Sequence, residues 1–180
     1  MAYGVVHTTN LNGCFNYSFV NQTDDIENGS LTIKGNAVDD GRGRSVYNCT
    51  APAGNANIPV YLVANPAWNY DRPNATSQNE DEFINKHDKP FRVYELRANR
   101  RFKVSPNMLS GPTAVGNYVS ETDGDYKYTV SATAPVGTAF VGKVLAVDDV
   151  SFGTYVMGPC DLGSANQMVL IEVVKNASMN

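Results

Sequence analysis

A histidine stands inside a run of acids in the stretch NEDEFINKHDKP, residues 79–90, which holds Glu80, Asp81, Glu82, His87 and Asp88. These residue types could build a general acid–base pair or a metal site. The same composition is also typical of a solvated turn. Because Pro90 closes the stretch and no ligand spacing is present, we interpret His87 as an exposed turn residue.

Nucleophilic catalysis needs a base, and His7 and His87 are the only two histidines in the chain. No G-x-S-x-G elbow occurs, and Cys160 lies in a Gly/Pro-rich loop that offers nothing to lower a thiol pKa. Cys14, Cys49 and Cys160 form no CxxC pair, which favours reduced, mostly buried thiols over a zinc cluster or a disulfide framework. We predict no catalytic residue, no metal site and no cofactor, and therefore a non-enzyme.

One basic cluster interrupts an otherwise acidic chain. It consists of Arg92, Arg97, Arg100, Arg101 and Lys103. It is interpreted either as the solvated end of a hairpin, with Ala98–Arg100 as its turn, or as a docking surface for an acidic protein, since the arginine fork binds carboxylates bidentately.

Two aromatic residues suggest a further alternative. Trp68 and Tyr70 lie in VYLVANPAWNYD and could stack against a sugar ring, or they could be ordinary aromatics at the end of a strand. Both interpretations stay open at this point.

The elements that would carry these groups are mostly strands. Period-two alternation in SLTIKG and the Tyr-, Val- and Thr-rich stretches FRVYELR and DYKYTVSA predict strands, and the longer apolar runs in TAFVGKVLAV and QMVLIEVVKN predict central strands buried on both faces. Asn28-Gly29 and Asp123-Gly124 predict tight turns. The pattern predicts a mainly β fold, a compact β-barrel or sandwich-like domain with one short helix in a long surface excursion.

The helix is predicted over Ser77–Lys86. Ser77 would be its N-cap, Glu80 the capping-box partner, and Pro90 would prevent further extension. Phe83 and Ile84 would anchor it to the body of the protein.

Length and charge restrict the class of protein. The chain has 180 residues, enough for one domain, and a net charge of −4, which argues against a dedicated nucleic-acid binder. Its start lacks the basic and apolar segments of a secretory leader, and no apolar run approaches the roughly 18 residues of a membrane helix. We expect a soluble protein with neither nucleic acid nor membrane as a partner.

The chain divides coarsely into three parts. Residues 1–25 are polar and predict an N-terminal arm or an edge strand, with Phe15, Tyr17 and Phe19 alternating. Residues 26–176 form the β-rich domain, interrupted by a polar excursion at 66–90, and residues 177–180 are a short tail.

The order of motifs resembles that of the capsid decoration proteins of tailed bacteriophages, also called cement or auxiliary head proteins. The segments that carry the resemblance are ENGSLTIKG, SVYNCTAP, VYLVANPAWNYD, FINKHDKPFRVYELRANRRFKVSPNML, VGNYVSETDGDYKYTV and the terminal QMVLIEVVKN. They extend over residues 26–176, with the section around FGTYVMGPC at 148–166 less similar.

The resemblance implies a non-enzymatic structural protein of the virion, made in the host cytoplasm. It would bind the outer surface of the assembled capsid and stabilise the shell, with the major capsid protein and neighbouring copies of itself as partners. The arginine cluster and residues 1–25 would then be candidate contacts to the capsid. The alternative function is a carbohydrate-binding β module for host attachment that uses Trp68 and Tyr70.

Overall fold

The computed structural model describes residues 3–8, 11, 14–39, 45–66, 80, 83–149 and 167–177. The predicted mainly β fold is confirmed. Within this part of the chain no helix is long and apolar enough to cross a membrane.

The strands are β1 (Val6–His7), β2 (Asn16–Val20), β3 (Ile26–Glu27), β4 (Leu31–Asp39), β5 (Ser45–Thr50), β6 (Val60–Val63), β7 (Ile84–Asn85), β8 (Phe91–Glu95), β9 (Arg101–Val104), β10 (Leu109–Ser110), β11 (Tyr118–Glu121), β12 (Tyr128–Ser131), β13 (Val141–Asp149) and β14 (Gln167–Lys175), with a 3-10 turn at Pro106–Met108 between β9 and β10.

The strands form a closed barrel and a separate open sheet, an arrangement consistent with the predicted sandwich-like domain. Strands β2, β5, β4, β6 and β8 close into a five-stranded barrel, in which only the β2–β5 pair is parallel. Seven strands form the open sheet in the order β1-β9-β14-β13-β11-β12-β10. The long apolar strands β13 and β14 pair with each other near its centre, as their composition predicts.

Strand β6 shows how the two layers share apolar side chains. All four of its residues are buried. Tyr61 and Val63 point into the barrel, while Val60 and Leu62 belong to the core that the barrel shares with the open sheet. Because side chains alternate between faces, a strand buried on both sides must be apolar at every position.

The shared core contains the largest apolar cluster. Phe102, Tyr128 and Phe140 are at most 1 % exposed, and the Tyr128 and Phe140 rings meet edge to face with centroids 6.2 Å apart. The Tyr128 hydroxyl donates to the carbonyl oxygen of Gly29 at 2.7 Å. Fully burying side chains of this size stabilises the fold by about 1.5–3 kcal/mol each.

The predicted helix over Ser77–Lys86 is wrong at its C-terminal part. Ile84–Asn85 form β7 and pair antiparallel with Ile26–Glu27 of β3. Asn85 is buried and its amide donates to the Ile26 carbonyl at 2.9 Å and to Asn28 Oδ1 at 3.1 Å. These tertiary hydrogen bonds outweigh the local capping signal. Residues 77–79, 81 and 82 of the predicted helix lie outside the described part of the chain.

The N-terminal segment packs against the rest of the protein. Val5 and Leu11 are 2 % and 1 % exposed, and β1 pairs with β9. Strand β2 has neighbours on both sides, β5 and β8, so the stretch with Phe15, Tyr17 and Phe19 is not an edge strand, whereas β1 lies at the edge of the open sheet. Barrel closure supplies the second neighbour, which a local sequence pattern does not reveal. A capsid contact by residues 1–25 stays a prediction.

The two predicted turns have different roles. Asp123-Gly124 joins the antiparallel strands β11 and β12, and Gly124 has a φ of 72°. Asn28-Gly29 is a turn in which Gly29 has a φ of 87°, but it joins β3 to β4, which pair with other strands. A Cβ at Gly29 would approach Val104 Cγ2 to 2.8 Å, so the site requires glycine for both conformation and space.

Candidate partner-binding surface

The predicted basic cluster lies where the chain crosses from one layer to the other. Strand β8 belongs to the barrel and β9 to the open sheet, so the connection between Glu95 and Arg101 is not a hairpin end. This corrects one of the two interpretations of the cluster. Arg97, Arg100 and Arg101 surround this connection and all three are exposed.

The connection is held firmly by main-chain hydrogen bonds. The amide of Arg100 donates to the carbonyl of Arg97 at 3.2 Å, which closes the turn. Asn99, with a φ of 64°, donates to the carbonyl of Val173, and the amide of Val173 donates to the carbonyl of Arg100, both at 2.8 Å. Strand β14 therefore fixes the turn, and the arginines project from a rigid support.

The three arginines differ in their ionic partners. Arg101 Nε lies 2.7 Å from Glu172 Oε2, and Arg97 Nη2 lies 3.2 Å from Glu95 Oε2. Arg100 has no ion-pair partner within the described residues. Since exposed pairs contribute only about 0–1 kcal/mol, these interactions do little for stability and leave the guanidinium groups accessible to a partner.

Phe15 is the member of this surface that sequence reasoning missed. Its alternation with Tyr17 and Phe19 predicts one common face, but Phe15 precedes β2 and is 61 % exposed. The Arg97 guanidinium lies over its ring at 4.8 Å from the centroid. We call the group Phe15, Arg97, Arg100 and Arg101 the arginine surface. An exposed aromatic stacked with arginine is typical of protein-binding hot spots.

The structure does not bring the whole predicted cluster together. Arg92 lies on β8 opposite Ser18 of β2, five residues before Arg97, or about 16 Å along an extended chain. Lys103 is half-buried on β9, opposite His7 of β1. Both residues are thus separate from the turn, and their role in partner contact stays a prediction.

The barrel end next to Arg97 is lined by tyrosines. The Lys34 ammonium lies 3.7 Å from the ring centroid of Tyr47 and 5.3 Å from that of Tyr17. Tyr17 meets Tyr61 edge to face at 5.6 Å. Burial, with smaller contributions from Tyr17 and Glu95, raises the pKa of Tyr61 to about 12, so its phenol stays protonated at neutral pH. This end of the barrel therefore combines protonated tyrosine rings with the Lys34 ammonium.

His87 is exposed, as predicted, but it is not without contacts. Its amide and its Nδ1 each lie 2.9 Å from Asp25 Oδ1, and Lys86 Nζ lies 2.7 Å from Asp25 Oδ2. The hydrogen bond from Lys86, followed by those from His87, holds the pKa of the Asp25 carboxyl well below its usual range. The same bond raises the pKa of Lys86. The acid–histidine pair fastens β7 to the segment before β3.

The remaining histidine, cysteine and aromatic candidates are only partly within the described residues. Within the described ranges, no three His, Cys, Asp or Glu side chains gather as a metal-ligand set. His7 Nε2 lies 3.3 Å from Glu80 Oε2. Cys14 and Cys49 are free thiols, and burial raises the pKa of Cys49 to about 12, which keeps it protonated. Trp68, Tyr70 and Cys160 lie outside the described residues, so the sugar-stacking hypothesis stays a prediction.

Comparisons with known proteins give no relative from which a role could be transferred. No protein-family model matches the chain, and neither the curated proteins nor the solved structures include a significant match. Any function must therefore be argued from the residues of this chain and from the geometry that holds them.

Proposed function

We propose that this chain is a non-enzymatic virion protein that binds the outer surface of an assembled bacteriophage capsid and stabilises the shell. The partner would be the major capsid protein, with neighbouring copies of this chain as further contacts. The motif order of residues 26–176 motivates the proposal. The arginine surface is the observation that carries it.

The arginine surface has the composition expected of a docking site for an acidic partner. Phe15 supplies an exposed aromatic anchor, and Arg97, Arg100 and Arg101 supply charge directed by a fixed turn. Because the β8–β9 connection is bound to β14 on one side and to Phe15 on the other, little conformational entropy is lost on docking. Val174 is 49 % exposed and follows Val173, whose backbone is hydrogen-bonded to the turn. It adds an exposed apolar side chain to the strand that supports the arginines.

Capsid stabilisation requires binding without catalysis. A ligand that binds the assembled shell but not its free subunits shifts the equilibrium toward the shell by mass action. Copies arranged on a symmetric lattice act together, so a modest affinity at each site is sufficient. Since the surface is cationic and exposed, binding should weaken as ionic strength rises.

The test is binding to empty capsids assembled from the cognate major capsid protein without this chain. We expect the purified protein to co-sediment with the shells, to appear as regular outer density by electron microscopy and to raise the capsid melting temperature. Shells that show neither added density nor a change in melting would refute the proposal.

A charge-reversal pair tests the surface itself. Arg100→Glu should weaken capsid binding by about tenfold or more, because it places like charge against an acidic partner. Lys127→Glu makes the same change in net charge at an exposed residue of the β11–β12 turn and should leave binding unchanged. Equal losses in both variants would show that only overall charge matters, and no loss in Arg100→Glu would remove the arginine surface from the interface.

A further inference from the structure

A cleft of about 250 Å³ lies on the opposite side of β8 from the barrel interior. Its apolar part comes from the N-terminal segment and from the residues after β6. The described residues that line it are Val5, Val6, Thr8, Asn28, Ala64, Asn65, Pro66, Glu80, Arg92 and Tyr94. This volume is just below the roughly 300–1,000 Å³ of sites for drug-sized ligands, so the cleft fits a single small ring.

Three polar side chains of the cleft have no partner among the described residues. They are the Arg92 guanidinium and the hydroxyls of Thr8 and Tyr94, none of which makes a hydrogen bond or ion pair within that part of the chain. The main chain of Arg92 is held firmly, since its carbonyl accepts from the amide of Ala64 at 3.1 Å and β8 is paired with both β2 and β6, while its side chain is exposed to solvent. A guanidinium on a rigid strand with no acceptor suits a bidentate bond to a carboxylate.

Two other polar residues of the cleft are already held in place. Asn28 donates to the carbonyl of Asn65 at 2.9 Å and accepts from its amide at 3.0 Å, so it shapes the floor and offers little to a ligand. Glu80 contacts His7 Nε2 through its Oε2 atom at 3.3 Å. The remaining lone pairs of its carboxylate can accept hydrogen bonds from ligand hydroxyls.

We propose that this cleft binds one sugar acid, a monosaccharide that carries a carboxylate and several hydroxyls. Arg92 would hold the carboxylate, and Glu80, Thr8 and Tyr94 would hydrogen-bond the hydroxyls. Pro66 is the exposed apolar residue against which an edge of the ring would lie, with Val5 and Ala64 buried beneath it. The site is separate from the arginine surface and does not depend on capsid binding.

Isothermal titration calorimetry and ligand-observed NMR on the full chain can test the cleft with glucuronate and galacturonate as probes. We expect millimolar binding of at least one of the two, and no comparable binding of glucose or galactose, which lack the carboxylate. Arg92→Gln should weaken the binding by about tenfold or more, because a charge-assisted pair is lost. Lys127→Gln, which removes an exposed positive charge elsewhere, should leave it unchanged.

Several outcomes would overturn the assignment. If neither sugar acid binds, or if the neutral sugars bind equally well, the cleft is not a sugar-acid site. N-acetylglutamate binding as tightly as the sugar acids would show that the hydroxyls contribute nothing and that the site accepts any carboxylate, including an acidic peptide side chain. Thr8→Val is a second variant in the lining of the cleft. If neither Thr8→Val nor Arg92→Gln changes the affinity, the sugar acid binds elsewhere on the protein.

Discussion

The two ends of the five-stranded barrel use polar residues in opposite ways. At the end near β3 and β7, Asn28, Asn85 and Asp25 are engaged by other groups of the protein, and their bonds join segments distant in sequence. At the end near the β8–β9 connection, Arg100 has no ionic partner within the described residues, and Phe15 is mostly exposed. Polar groups at the first end hold the fold together, whereas those at the second are available to a partner. Four substitutions test this difference between the two ends.

Asn28→Ala should give the largest loss of stability. The side chain makes three hydrogen bonds, two to the main chain of Asn65 and one from the Asn85 amide. Removal leaves buried groups unsatisfied at a cost of roughly 2–4 kcal/mol. Urea denaturation should show a lower midpoint with an unchanged slope. A loss below about 0.5 kcal/mol would mean that water replaces the amide and that this end is not the structural one.

Phe15→Ala should separate binding from stability most clearly. Because the ring is 61 % exposed, its removal should change the free energy of unfolding by less than about 0.5 kcal/mol. Capsid affinity should fall by about tenfold or more if the ring is a hot spot. The matched control is Val136→Ala, at a turn residue that is 96 % exposed, which should alter neither quantity. Unfolding of the Phe15 variant would assign the ring to the core instead.

Asp25→Asn should give a smaller, pH-dependent loss. The folded-state pKa of Asp25 is depressed, so its stabilising contribution is present above the unfolded value near 4 and is lost as pH falls through the folded value. We expect the wild type to exceed the variant by on the order of 1 kcal/mol at pH 7, since Lys86 and His87 are more than half exposed and solvent screens the pair. The difference should shrink in denaturation curves measured below pH 4. A constant difference across pH would assign the effect to packing.

His87→Ala should give the smallest effect. It removes one exposed hydrogen bond to Asp25 and keeps the backbone amide that donates to the same oxygen, so a loss of a few tenths of a kcal/mol is expected. Phe83→Ala is the comparison, because this half-buried ring should cost about 1–3 kcal/mol. Thermal melting of the two variants side by side would show whether the ring or the imidazole anchors the segment.

Much of the fold could be predicted because strand patterns are local. Local strand patterns correctly predicted β4, β8 and β12, the long apolar run predicted β14, and Asp123-Gly124 predicted a true hairpin. The helix prediction was wrong at Ile84–Asn85 because these residues pair with β3, which is distant in sequence: Ile84 pairs with Glu27, 57 residues away, and Asn85 with Ile26, 59 residues away. Helix-capping preferences depend only on residues within a few positions and therefore carry no information about a strand partner at that distance.

The candidate surface was only partly predictable. Composition located the arginines, but it did not distinguish Arg100, which stands at the turn, from Arg92, which lines a cleft. The exposure of Phe15 was not predicted, because a period-two pattern assigns side chains to faces only within a strand and Phe15 lies just before β2. No local signal marks the end of a strand in that stretch.

Local sequence is sufficient to predict that this chain forms strands, where several of the turns lie, and which stretch carries the positive charge. Those properties follow from side-chain alternation, from glycine at positive φ and from composition, all of which act over a few residues. Contacts between distant segments are needed to close five strands into a barrel, to bring Asn28 and Asn85 together and to place Arg97 over Phe15. These arrangements depend on register, because pairing between distant strands must bury both faces of each shared strand and pair most of the buried backbone polar groups at the same time.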